Sequence, residues 1–126
     1  MDPHLHKSMP FDPVRDFTAL AVVCDDTGPT AVFAHPGVPF NTLQGMIDFA
    51  RLNPGKLTYA HAGAGAISNV AAEMFKQLAG GLDIRPVPYR GMGPAQADVI
   101  SGHVDVFVPN ITGTVVDLHR TGRLRL

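Results

Sequence analysis

The chain has a single cysteine among its 126 residues, so no internal disulfide can form. Cys24 closes the apolar run Leu20-Ala21-Val22-Val23-Cys24, where the expected role is a buried small hydrophobe rather than a nucleophile. Long hydrophobic runs are also missing. Nothing approaches the ~18 apolar residues that a membrane span requires. The stretch from Met1 to Met9 is polar and lacks the apolar centre of a secretory signal, so an export signal is not expected within these residues. Charge is sparse and balanced, with 17% charged residues and a net charge of −1. That gives no electrostatic case for nucleic acid or for an anionic membrane surface. Basic residues cluster only at Arg120, Arg123 and Arg125, which are expected on a solvated edge.

What is present is a globular composition, 45% hydrophobic, in a chain of single-domain length. Such a chain buries roughly two-thirds of its unfolded surface. Residues 1–16, rich in proline and charge, form an expected extended lead-in, and residues 17–126 an expected single α/β unit. Phe17 to Val23 is predicted as a buried strand, Asp25 to Pro29 as a turn, and Thr30 to His35 as a second short strand. Thr42 is an expected N-cap for a helix carrying Leu43, Met46, Ile47 and Ala50, stopped at Asn53-Pro54-Gly55. Leu57 to Ala60 is a predicted strand. Val70, Ala71, Met74, Phe75 and Leu78 have the spacing of an apolar helical face, closed by Gly80-Gly81. Ile84 to Tyr89 and Val104 to Val108 are predicted strands. Pro94 to Ser101 and Thr112 to His119 are predicted helices, and Leu124 to Leu126 begins a further strand. Strands alternating with helices specify an α/β layer structure with a mostly parallel sheet. Ligands of such sheets sit at the carboxyl ends of the strands.

Three loops fall at that edge. The small-residue segment Gly63-Ala64-Gly65-Ala66-Ile67-Ser68 leaves a strand and opens a helix. Small side chains allow close approach to backbone N–H groups at a positive helix end, which suits an anion such as a carboxylate or phosphate. A tight turn with no ligand is the plain alternative. Tyr89, Arg90 and Gly91 join the next strand to the next helix and offer a ring, a hydroxyl, a guanidinium and free backbone. Asn110 and Thr112 follow the last strand and either meet a ligand or cap the final helix.

Other chemistries find little support. Gly63 and Gly65 lack the third glycine of a dinucleotide loop, and no Gly-Lys-Ser/Thr is present for nucleoside triphosphate. No cofactor is expected. His4 and His6 are the only closely spaced histidines, and no metal site is expected from them. Ser68 lacks a nucleophile-elbow sequence. Asp98 and Asp105 are expected in solvent or at caps rather than as an acid/base pair. No catalytic residues, and hence no enzyme, are expected. His61 stands out among the six histidines because it borders the glycine loop.

The segment Pro10-Phe11-Asp12-Pro13-Val14-Arg15-Asp16-Phe17 resembles the proline-rich crossover of the Bug (TctC-like) receptors. These are the solute-binding proteins of tripartite tricarboxylate transport systems. The similarity continues through His35-Pro36-Gly37-Val38-Pro39, Asn53-Pro54-Gly55-Lys56-Leu57-Thr58-Tyr59-Ala60, the Gly63-to-Ser68 loop, Val87-Pro88-Tyr89-Arg90-Gly91 and Thr121-Gly122-Arg123-Leu124-Arg125. The resemblance implies a single Rossmann-like lobe of a type II periplasmic-binding-protein fold. Its implied ligand is a small carboxylate: a di- or tricarboxylate, an amino acid or an aromatic acid. Implied partners are a first lobe, absent from these residues, and membrane transporter subunits; the implied location is the periplasm. One departure is that Ala62, Ala64 and Ala66 stand where the family commonly carries hydroxyl side chains, which leaves backbone donors. Weak binding by one lobe alone is the expectation, and self-association with a second copy is the competing one.

Overall fold

The protein is described from a computed structural model, which covers residues 10–12, 15–18, 20–21 and 28–126. The elements are β1 (Phe33–Ala34), α1 (Leu43–Leu52), β2 (Thr58–His61), α2 (Ile67–Leu78), β3 (Arg85–Pro88), α3 (Met92–Ile100), β4 (Val106–Phe107) and α4 (Gly113–Arg120). The strands form one sheet in the order β1-β4-β2-β3. β2 runs parallel to both β3 and β4, and β1 is antiparallel to β4.

Strand position follows from the residues. Pro86 and Pro88 have no N–H to donate, which confines β3 to an edge. Arg85 and Tyr89 donate inward, to the carbonyls of Leu57 and His61, both at 2.9 Å. The central strands β4 and β2 are buried at nearly every position because both faces of the sheet are covered. Tyr59, Val106 and Val108 face one layer with Met46 and Ala50 of α1 and Ala72 of α2. Ala60 and Phe107 face the other with Ala95 and Val99 of α3 and Val115 of α4. Two cores therefore sandwich one sheet. At the amino-terminal ends of the strands, Asp105 accepts both the amide (2.8 Å) and the hydroxyl (2.7 Å) of Thr58, tying β4 to β2.

Local signals at α1 behave as read. The Thr42 hydroxyl accepts the Gly45 N–H at 3.0 Å, and Gly55 takes φ +68° beyond the helix end. The C-terminal residues pair as expected: Ala34 and Arg125 exchange two backbone hydrogen bonds of 2.8 Å, and Leu124 is buried.

Four expectations need correction. Phe17, Thr18, Leu20 and Ala21 are exposed and outside any strand, so apolar content there does not mark a core strand. Cys24 and most of the predicted turn at 25–29 lie outside the described residues. The face of α2 is rotated from its expected position. Val70, Met74 and Leu78 are exposed, and Ser68 and Ala72 are the buried positions, with Ala71, Phe75 and Ala79 partly buried. Small residues let α2 lie close to the sheet, whereas Val70, Met74 and Leu78 point outward. The strand predicted at 104–108 is reduced to two residues, although Val104 and Val108 stay buried. Arg125 is not a solvated edge residue: its Nη1 donates to the Phe40 carbonyl at 2.8 Å.

Phe107 is fully buried, with its ring 5.8 Å from that of Phe33. Phe107→Ala is expected to cost about 3–5 kcal/mol, a large part of the roughly 5–15 kcal/mol that holds a domain folded. Urea denaturation should show the midpoint falling steeply or the transition disappearing.

Candidate functional site

Parallel pairing puts the carboxyl ends of β2, β3 and β4 on one side of the sheet. The loops that follow start α2, α3 and α4 there. A cleft of about 330 Å³ opens among them, lined by Ala62, Ala66, Ile67 and Ser68, by Met92 and Gln96, and by Pro109, Asn110, Thr112 and Val115. That volume falls within the range of small-molecule sites. A second concavity, about 390 Å³, lies along the outer edge of β1 between Phe40, Leu43, Phe75 and Leu126. It is larger and meets the start of α1 at Thr42 and Leu43, where the Thr42 hydroxyl already satisfies a helix donor.

The helix starts set the electrostatics. The N-caps of α2, α3 and α4 are Ala66, Gly91 and Thr112, and none makes a side-chain capping bond. No acidic residue occupies any of their first turns. By contrast α1, which starts elsewhere, is capped by Thr42. A helix start without a side-chain acceptor leaves N–H groups and a partial positive charge available. Three such starts meet at one cleft whose lining carries no charged side chain. Chemically the arrangement can hold an anion on neutral donors.

Of the residues read from the sequence, Ala66, Ile67, Ser68, Asn110 and Thr112 line the cleft. Gly63, Ala64, Gly65, Arg90 and Gly91 do not line it; they shape the turns behind it. Gly63, Gly65 and Gly91 take φ of +117°, +78° and +106°, backbone that side chains rarely adopt. Arg90 is exposed. Tyr89 turns its hydroxyl to Asp98 of α3 at 2.6 Å. Ser68 is buried and its hydroxyl accepts the Ala62 N–H at 3.2 Å. Thr112 sits at the cap position without capping through its side chain. Gln96, Met92 and Val115 were missed. Gln96 lies two residues past Pro94, inside α3, where no local sequence signal marks a lining residue.

Behind the cleft a polar chain braces α2 against β2. The Tyr59 hydroxyl bonds Asn69 at 2.8 Å and Glu73 at 2.6 Å, and Lys76 bonds Glu73 at 2.9 Å. Burial and the Glu73 carboxylate push the Tyr59 phenol well above its usual value. Burial alone would raise Glu73, but the bonds from Lys76 and Tyr59 outweigh it and hold that carboxyl below its usual value. Burial, with the Asp98 carboxylate beside it, pushes Tyr89 up to about 12. Among the described residues no cluster of metal-ligating side chains occurs, and no helix is long and apolar enough to cross a membrane.

Residues 1–126 match the model of the tripartite tricarboxylate transporter family receptor. A Bordetella pertussis protein of the UPF0065 group is 34% identical over 104 residues, which are 82% of this chain and 31% of that protein. An R. palustris protein solved with adipate is similar at a TM-score of 0.84 and 27% identity, over 96% of this chain and 39% of the other. MatC from Rhodopseudomonas palustris, solved with malate, reaches 0.72 at 26% identity, over 78% and 33%. The chain spans about a third of the length of the curated relatives it matches. Together with these structures, the sheet and its two helical layers establish the α/β fold of a periplasmic-binding-protein lobe.

Tyr59 and Tyr89 are the chain's two tyrosines, so alkaline titration reads them without interference. Absorbance near 295 nm should show no tyrosinate at the ordinary midpoint near pH 10 while the chain is folded. The sign is that of an acid made weaker by folding. Its contribution is complete below the unfolded value and is lost as pH rises through the folded one. Tyr89→Phe should lower stability by about 1 kcal/mol without changing the affinity of the cleft for anions, since the hydroxyl points away from it.

Proposed function

The chain belongs to the tripartite tricarboxylate transporter receptor family, and from that premise we propose that it is a lobe that captures a small carboxylate for a periplasmic transport system. The observation that carries this reading is the meeting of three helix starts, none with a side-chain cap, at one uncharged cleft. Backbone N–H groups take the carboxylate, and Gln96, Asn110 and Thr112 add neutral hydrogen-bonding groups. Met92, Ile67 and Val115 accept an aliphatic or aromatic body. The presence of adipate and malate in the two relatives supports a carboxylate as the guest. We place residues 1–16 as a lead-in and 17–126 as the lobe. A first lobe would close the other side of the cleft, and membrane subunits would receive the solute. No catalytic role is assigned.

One wall buries only part of a guest, so binding by this chain alone should be weak, near millimolar, or ~4 kcal/mol. Amide NMR with adipate should move Ile67, Ser68 and Gly113, and the uncharged diamide of adipate should not. Ala66→Asp separates function from structure, because a carboxylate at that cap satisfies the α2 donors. It should stabilise the fold by about 0.5–1 kcal/mol while abolishing adipate binding. Unchanged adipate binding by Ala66→Asp, or sub-micromolar binding by wild-type monomer, would contradict the proposal.

The exposed apolar stripe of Ile67, Val70, Met74 and Leu78, the last 85% exposed, favours a second reading: a domain that associates with itself. On that reading sedimentation velocity should show mass rising with concentration, and Met74→Glu with Leu78→Glu should return a monomer. A wild-type monomer at all concentrations sinks it.

A further inference from the structure

His61 is a buried imidazole that the carboxylate site does not itself employ. It ends β2, is 5% exposed, and precedes Ala62, which lines the cleft. Its ring lies 5.6 Å from that of Tyr59, tilted by 36°. Tyr59 is held by Asn69 and Glu73 of α2, so the imidazole has a fixed seat. Its Nδ1 stands 3.1 Å from the Gly63 carbonyl oxygen and 3.3 Å from the Gly63 nitrogen. The same carbonyl accepts the Ala66 N–H at 3.2 Å. One ring nitrogen thus touches both groups of the residue that shapes the turn into α2.

Those two contacts are mutually exclusive as hydrogen bonds. A protonated Nδ1 donates to the carbonyl, whereas a bare Nδ1 accepts the Gly63 N–H. The imidazolium carries protons on both nitrogens, so it selects the carbonyl bond and releases the Gly63 N–H in the turn behind the cleft. It also adds a full positive charge beside a helix start that already favours anions. The groups facing it can be enumerated. Tyr59 shares its strand, and Glu73 of α2 interacts with it electrostatically while bonding Lys76. Pro88 of β3 pairs opposite it, and β4 with its following residue supplies apolar Val106 and Val108 on that face. Asp98 of α3 is engaged by Tyr89, whose ring packs with the other core. Glu73 is thus the counter-charge His61 already has, and a bound carboxylate would add a second.

We propose that His61 is a positioning residue for the Gly63–Ala66 turn and that its protonation is coupled to anion capture, a carboxylate binding more tightly as His61 takes up a proton. This rests on the carboxylate reading of the cleft. Coupling must be reciprocal, so bound anion must also make His61 easier to protonate.

The test is amide and imidazole NMR of the full chain, titrated with adipate at about pH 6 and about pH 8, the range in which imidazole changes charge. Wild type should bind adipate about fivefold or more tightly at the lower pH. Without adipate, the Gly63 and Ala66 amides should differ between the two pH values in wild type and not in His61→Asn. His61→Asn keeps a hydrogen-bonding group near the Nδ1 position but cannot titrate. It should match wild type at the higher pH and lose the pH dependence. His61→Phe keeps the ring seat and loses the nitrogen, and should bind more weakly at both. Adipate binding that is equal at both pH values, or pH dependence retained by His61→Asn, overturns the coupling alone. Adipate failing to bind at either pH overturns the carboxylate reading and the coupling with it.

Discussion

Parallel pairing of β2 with both β3 and β4 is the constraint on which the rest of the structure depends. Parallel neighbours must be joined by crossovers, and here each crossover is a helix. Every such helix starts at the same edge of the sheet. The positive ends of α2, α3 and α4 are brought together by topology, before any side chain contributes. The protein then leaves those ends open, with Ala66, Gly91 and Thr112 at the cap positions and no acid in the first turns. At α1, which starts at the other concavity, the ordinary threonine cap is in place.

Covering both faces of the sheet follows from the same constraint, and it made much of the fold legible. The run Thr58 to Ala60 is apolar or small without alternation, as expected for a strand buried on two sides. Thr42, Gly55, Gly81, Gly102 and Gly122 mark turns that the sequence announces through capping and backbone chemistry. Prolines at 86 and 88 place β3 at an edge. Tertiary packing decides the rest. The α2 periodicity identifies a helix but not which of its apolar residues face inward. Ala72 and Ser68 win the inner face because they are small, and no pattern of hydrophobicity carries that information. Phe17, Thr18, Leu20 and Ala21, the described residues of the predicted first strand, have the composition of a core strand yet are exposed and outside the sheet.

The cleft was partly legible for the same reasons. Gly63 to Ser68 and Asn110 to Thr112 are loops after strands, and topology places them side by side. Tyr89 read as a ligand group because it carries a hydroxyl in the right loop. Its partner Asp98 is nine residues on, and only the folded helix reveals that the two meet. Gln96 went unread because a helical glutamine has no local signature. Its place in the lining comes from the direction of α3 alone.

The two phenols have an optical consequence. The chain contains no tryptophan, so its intrinsic emission comes from tyrosine. Each phenol donates at 2.6 Å to a carboxylate, Tyr59 to Glu73 and Tyr89 to Asp98. Excited phenol is a far stronger acid than ground-state phenol, and a carboxylate at that distance drains its excitation by accepting the proton. The folded molecule is therefore dim and the unfolded one bright, so brightness at a single wavelength distinguishes an intact sheet-and-helix brace from a broken one.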